Sequence, residues 1–169
     1  SDIDLQAGPP RIAGFWTDLD QAPGQVVRYS VDSNPGVGLG ASLQVEFVSV
    51  GDAGPSPNSH TFRWTIDGTG FISIVYAASN APPIADVLCG IGPGQGLSAA
   101  PMRDLSTLLA PNSFLGAINA SLYEWFGTSG NPNYTPGQNR PYDLAGRTVN
   151  FLPVGAGSLP AQTYRYAIY

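Results

Sequence analysis

The sequence predicts an all-β fold, a β-sandwich or jelly-roll of antiparallel sheets carrying one or two short helices. Three observations lead there. The chain has 21 glycines and 16 prolines in 169 residues, so rigid turns recur too often for long helices. Several runs of four to nine residues alternate apolar and polar side chains, the period of a half-buried strand. Ten of the twelve acidic residues are Asp, which favours turns and is poor inside helices.

The chain is long enough for one domain, which at this size buries roughly 68–70% of its unfolded surface. Hydrophobic residues make up 43% and charged residues 11%, a balance opposite to that of disordered chains. Residues 1–10 read as an arm and 11–169 as a single β-sandwich domain. In the arm, Ile3 and Leu5 are two apart and share a strand face, and Gly8-Pro9-Pro10 breaks regular pairing before Ile12.

Along the body, Ile12–Asp18, Gln25–Val31 and Ser42–Val50 read as strands. In the last of these Leu43, Val45, Phe47 and Ser49 face one way and Gln44, Glu46 and Val48 the other. Thr61–Ile66 and Phe71–Tyr76 form a hairpin around Asp67-Gly-Thr-Gly70, where Asp-Gly offers the positive φ of a tight turn. Met102–Leu109 and Leu115–Phe126 show helical spacing, although Ser121–Phe126 also fits a strand. Gly127–Tyr142 reads as a long surface loop, and Arg147–Leu152 and Gln162–Tyr169 as the closing strands. In the final run Tyr164, Tyr166 and Ile168 share a face.

The net charge is −5 with a pI near 4.4, and the seven Arg residues are scattered, so no basic stripe is present to meet nucleic acid. No apolar run approaches the roughly 18 residues of a membrane span. There is no Lys; codon bias accounts for that, but it also removes a common guard from exposed strand edges. The start at Ser1, without Met or an apolar leader, fits a mature secreted form. Cys89, the single cysteine, sits in an apolar run and reads as a packing thiol.

Chemistry-bearing patterns are sparse. His60, the one histidine, is placed in a surface turn and would be the general base of any hydrolase, yet no Gly-x-Ser-x-Gly elbow accompanies it. Glu46 and Glu124 form no paired-carboxylate motif. Asp18 with Asp20, and Asp2 with Asp4, could offer oxygens to calcium but lack the loop spacing, and Asx turns account for both pairs. Gly90–Gly96 reads as a turn, because it lacks the Lys-Ser/Thr of a phosphate loop. Asn119 and Asn133 sit in Asn-x-Ser/Thr acceptor patterns for glycosylation. Trp16, Trp64 and Trp125 at strand positions read as core. No catalytic residue, cofactor or metal is expected.

Ile12-Ala-Gly-Phe-Trp-Thr-Asp-Leu-Asp20 resembles the opening of nidogen-like (NIDO) extracellular domains, an apolar residue, Ala-Pro-Phe-Trp, then two Asp. Leu43–Val50, Ser59-His-Thr-Phe-Arg63, Asp67–Tyr76 and Gly90-Ile-Gly-Pro-Gly94 parallel that family's strands and turns, so the resemblance spans about residues 12–96. It departs at Gly14, where the family has Pro, and at His60, where it has Asn. The resemblance implies an extracellular, noncatalytic module of matrix or adhesion.

Together these readings lead to an extracellular structural subunit that self-assembles into a filament by adding its arm to a neighbour's sheet. Ile3, Leu5, Tyr164, Tyr166 and Ile168 would lie at the subunit interface. The alternative is a nidogen-like cell-adhesion or glycan-binding module.

Overall fold

A computed structural model describes residues 10–17, 19–20, 24–33, 41–53, 58–81, 86–92, 104–106, 121–127, 141–153 and 166–168. They form ten strands: β1 (Arg11–Trp16), β2 (Leu19–Asp20), β3 (Val26–Asp32), β4 (Ser42–Asp52), β5 (Ser59–Asp67), β6 (Ile72–Tyr76), β7 (Val87–Gly92), β8 (Leu122–Phe126), β9 (Thr148–Pro153) and β10 (Tyr166–Ile168). A smaller sheet runs β1-β7-β8. A larger one runs β10-β9-β6-β5-β4, and the far side of β4 pairs with β3 and, beyond it, β2. Every pairing is antiparallel. The all-β sandwich expected from the strand pattern is the fold observed.

The core lies between the sheets. Cross-strand registry aligns Phe47, Phe62 and Tyr76 in one row, Val45, Trp64, Ile74 and Val149 in a second, and Leu43, Ile66, Ile72 and Phe151 in a third. These rows give the larger sheet an apolar inner face. Phe15, Val87, Cys89, Ile91, Leu122 and Phe126 meet it from the smaller sheet and are buried with it. Cys89 is the buried packing thiol its sequence context suggested.

The β5–β6 hairpin forms where the Asp-Gly turn placed it, with one shift. The positive φ of +86° falls on Gly70 and not on Gly68, and the Gly70 N–H donates to the Asp67 carbonyl at 3.0 Å. The Asp67 carboxylate also accepts from the Thr69 and Phe71 amides at 2.8 and 3.2 Å. This is a three-residue loop ending in a left-handed glycine.

Four expectations are corrected. The helix over Leu115–Phe126 is not what its end forms: Leu122–Phe126 is β8, the strand that Ser121–Phe126 also fits, because pairing with β7 buries both of its faces; of Met102–Leu109 only Asp104–Ser106 is described, and Leu105–Ser106 is a turn. Among the described residues there is no helix. Gly90 and Gly92, read as a turn, belong to β7. Gly90 is required there: its φ is +146°, and a Cβ would lie 2.2 Å from the Leu122 carbonyl oxygen, so no side chain fits between β7 and β8.

Ser49 does not join the face of Leu43, Val45 and Phe47. A bulge in β4 between Phe47 and Val50 adds one residue, Ser49 takes φ +53°, and its amide donates to Thr61 Oγ1 at 2.9 Å. Alternation therefore restarts, with Val50 and Asp52 buried after the bulge. The fourth correction concerns His60, which is not a surface turn residue. It lies in β5 on the row parity of Phe62 and is fully buried.

Candidate functional site

The two sheets are unequal in width, and that inequality creates the site. Neighbouring strands are about 4.8 Å apart, so three strands cannot cover a sheet six strand positions wide. The smaller sheet sits over β6, β9 and the His60–Phe62 end of β5, whose inward residues are buried, while Trp64 and Ile66 of β5 are only partly so. Beyond it the inner face of β4 and β3 is left open: Val27, Tyr29 and Val31 are 44%, 78% and 62% exposed. These three pair with Phe47, Val45 and Leu43 and so continue the apolar rows outward. The opposite face of the same strands carries the pairs Arg28–Glu46, Ser30–Gln44 and Asp32–Ser42, with Val26 opposite Val48 at one end. There Arg28 Nε donates to Glu46 Oε2 at 2.6 Å, an exposed pair worth less than about 1 kcal/mol.

Between β1 and the inner faces of β4 and β5 lies a groove of about 340 Å³, whose far wall is Phe47, Phe62, Trp64 and Leu19. Among the described residues β1 pairs only with β7, so one edge of β1 faces the groove with backbone groups that no described strand takes up. The floor is aromatic: Phe47 and Phe62 stack at 4.4 Å and 12°, and Phe15 lies on Phe62 at 5.5 Å and 26°. Gly14 lets the strand sit close to that floor, since a Cβ there would be 3.1 Å from the Phe62 ring and 3.2 Å from Trp64.

A bulge on β1 between Ala13 and Trp16 shapes the groove wall. It leaves Ile12 and Phe15 packing inward, while Ala13 and Trp16 pack on the outer face against Leu88, Tyr123 and Trp125. The Arg11 guanidinium lies 5.2 Å over the Trp16 ring, and among the described residues it has no carboxylate partner. Leu19 of β2 closes one end. The three tryptophans read as core are thus only half-buried, at the groove or on the outer cluster.

Two polar clusters lie beneath the groove. His60 Nε2 and Asp52 Oδ1 are 2.9 Å apart with side chains 0% and 1% exposed. Phe15 lies over the imidazole with ring centres 4.4 Å apart. A general base must reach a substrate within about 3.2 Å, and this pair is sealed from solvent; it ties the end of β4 to the start of β5. In the second cluster the Tyr76 hydroxyl donates to the Gly14 carbonyl at 2.7 Å. Burial pushes its pKa well above the ordinary tyrosine value, and the neighbouring Cys89 adds to the rise. Burial likewise raises Cys89, opposed by its hydrogen bond with Tyr76 and reinforced by the Glu124 charge. Glu124 faces inward opposite Cys89 and accepts from the Leu105 amide at 2.7 Å. Among the described residues no three His, Cys, Asp or Glu side chains cluster as metal ligands, and no helix is long and apolar enough to cross a membrane.

Of the interface residues named from sequence, Ile3, Leu5 and Tyr164 lie outside the described residues, as do Asn119 and Asn133 and the Asp pair candidates Asp2, Asp4 and Asp18. Tyr166 and Ile168 fall on β10, opposite Pro153 and Phe151, at the far edge of the larger sheet from β3; their side chains are likewise outside the description. The sequence reading missed the groove. Its only visible signal was the Val26–Val31 run, apolar at four of six positions counting its tyrosine, with Val27, Tyr29 and Val31 on one face.

No family model, curated protein or solved structure matches the chain. Of the motif residues behind the nidogen-like resemblance, Ile12–Trp16 fall on β1 and Leu19–Asp20 on β2.

Proposed function

We propose that this chain is an extracellular structural subunit that associates with copies of itself by strand addition, building a filament, and that it performs no catalysis. The observation carrying this reading is the apolar shelf of Val27, Tyr29 and Val31, exposed on the inner face of β3, which among the described residues pairs only with β4. Monomeric proteins rarely leave such a face and edge uncovered together. The missing Lys and the burial of His60 under Phe15 support it further.

The test is sedimentation velocity over a wide concentration range with electron microscopy of the same samples. Concentration-dependent oligomers or filaments are expected, and Tyr29→Lys with Val31→Lys should shift the distribution to monomers with an unchanged far-ultraviolet spectrum. Monomers at every concentration would sink the reading.

The exposure of Tyr29 favours a second reading, a nidogen-like adhesion module whose tyrosine stacks on a sugar ring. A glycan array with wild type and Tyr29→Ala separates the two, since a sugar site predicts binding lost with the ring in a chain that stays monomeric.

A further inference from the structure

We infer that the groove at the free edge of β1 is a strand acceptor, and that its occupant is the Ser1–Ala7 segment of a second copy. The inference rests on the self-association reading above and adds to it where the copies join. A strand laid along β1 would extend the smaller sheet by about 4.8 Å, over the part of the larger sheet that the smaller one leaves open. Its alternate side chains would then drop about 10 Å sheet-to-sheet onto Phe47, Phe62 and Trp64.

Ser1–Ala7 has the pattern this position asks for. Ile3, Leu5 and Ala7 alternate with Asp2, Asp4 and Gln6, so one face is apolar and the other polar. Seven residues match the six of β1. With Ile3 and Leu5 turned to the aromatic floor, Asp2 and Asp4 face outward on the side of the smaller sheet where Arg11 lies over Trp16. The carboxylates and the guanidinium are complementary in charge and on the same face.

The covalent connection directs the segment to another copy. Gly8-Pro9-Pro10 leads directly into β1. Folding back onto the same β1 needs a tight reversal, which in hairpins uses positive φ, while two successive prolines hold φ near −65° and continue outward in an extended course. In the proposed assembly the segment leaves the β1 it precedes and reaches the β1 of a neighbour. Donor and acceptor surfaces differ, so the contact is head-to-tail and propagates.

The experiment uses the full chain with Leu5→Cys and Phe47→Cys, treated with a short bismaleimide and mapped by mass spectrometry after mixing isotopically light and heavy copies. Cys89 is buried with a raised pKa and stays protected in the folded protein. Bridges from position 5 of one copy to position 47 of another are expected. A second variant, Leu5→Cys with Val31→Cys, reports the open edge of β3. Bridging only from 5 to 31 would overturn the groove assignment while leaving strand addition in place, and light-only or heavy-only bridges from 5 to 47 would show self-insertion and overturn exchange between copies. Oligomers without either bridge would overturn the arm as donor; monomers without bridges would remove the self-association reading as well.

Discussion

The Tyr76 hydroxyl donates to the Gly14 carbonyl at 2.7 Å, joining the middle of the larger sheet to the bulge of β1 across the buried core. The bulge takes Gly14 out of ladder pairing with β7, so this side chain supplies the partner that the backbone does not. The contact also sets the height of β1 above Phe62 and so the width of the groove.

Tyr76→Phe removes the donor and leaves a buried carbonyl unpaired, which costs about 1–3 kcal/mol. At roughly 2–4 °C per kcal/mol for a domain of this size, the midpoint of thermal unfolding should fall by several degrees. A midpoint unchanged from wild type would mean that Gly14 is satisfied another way.

Alkaline pH should unfold the protein earlier than a chain whose tyrosines are exposed. Burial raises Tyr76, Cys89 and Tyr142 above ordinary values of 10.0, 9.0 and 10.0. Below about pH 8 these groups are protonated in both folded and unfolded chains and add no pH dependence. From about pH 9 upward the unfolded chain releases protons that the folded chain keeps. Stability therefore falls as pH rises, by up to about 1.4 kcal/mol per pH unit for each group. Denaturant midpoints from pH 7 to 11 check this, and Cys89→Ala should delay the onset toward pH 10.

Asp52 and His60 form a pair buried from solvent, so removing the Asp52 carboxylate takes a partner from a buried imidazole. Asp52→Ala should cost about 1–3 kcal/mol, more if the partner left behind is charged. Replacing both, as Asp52→Ala with His60→Phe, should recover part of that loss, because apolar groups of similar shape tolerate the site beside Phe15 and Phe62. A double-mutant cycle in urea gives the coupling; additive costs would show that the 2.9 Å contact contributes nothing.

The strands were legible wherever one face is wet and the other dry. Ser42–Phe47 and the β5–β6 hairpin alternate cleanly because each residue sees either core or solvent, and the Asp67 turn is local chemistry. β8 was not legible as a strand alone, since Leu122–Phe126 is buried on both faces and its apolar run fits either period. Ser49 was misplaced because a bulge in β4 shifts alternation by one residue, and nothing in Phe-Val-Ser-Val marks it; His60 was misplaced because β5 begins at Ser59, two residues before the apolar alternation that marks the strand. The groove lies further still from sequence, because it arises from the unequal width of two sheets, a property of long-range pairing that no single segment carries.

Gly14 and Gly90 lie near each other on paired strands, and the same substitution should have opposite outcomes at the two. At Gly90 a Cβ falls 2.2 Å from the Leu122 carbonyl oxygen with φ at +146°; backbone cannot yield, and Gly90→Ala should cost about 3 kcal/mol or more through strain and overpacking. At Gly14 the nearest atoms are ring carbons of Phe62 and Trp64 at 3.1–3.2 Å. Trp64 is half-buried at the groove and has open space into which to shift. The lost freedom of the unfolded chain favours Ala by about 0.4–1 kcal/mol, which offsets the crowding, so Gly14→Ala should unfold within about 1 kcal/mol of wild type. The added methyl nevertheless raises the groove floor where Ile3 and Leu5 would seat. Gly14→Ala should therefore weaken self-association, seen as a shift toward smaller species in sedimentation velocity, in a protein whose denaturant midpoint has barely moved. Wild-type assembly in that variant would mean that copies join away from the groove, and loss of folding would mean that the buried Phe62 ring, stacked between Phe15 and Phe47, does not yield to the added methyl.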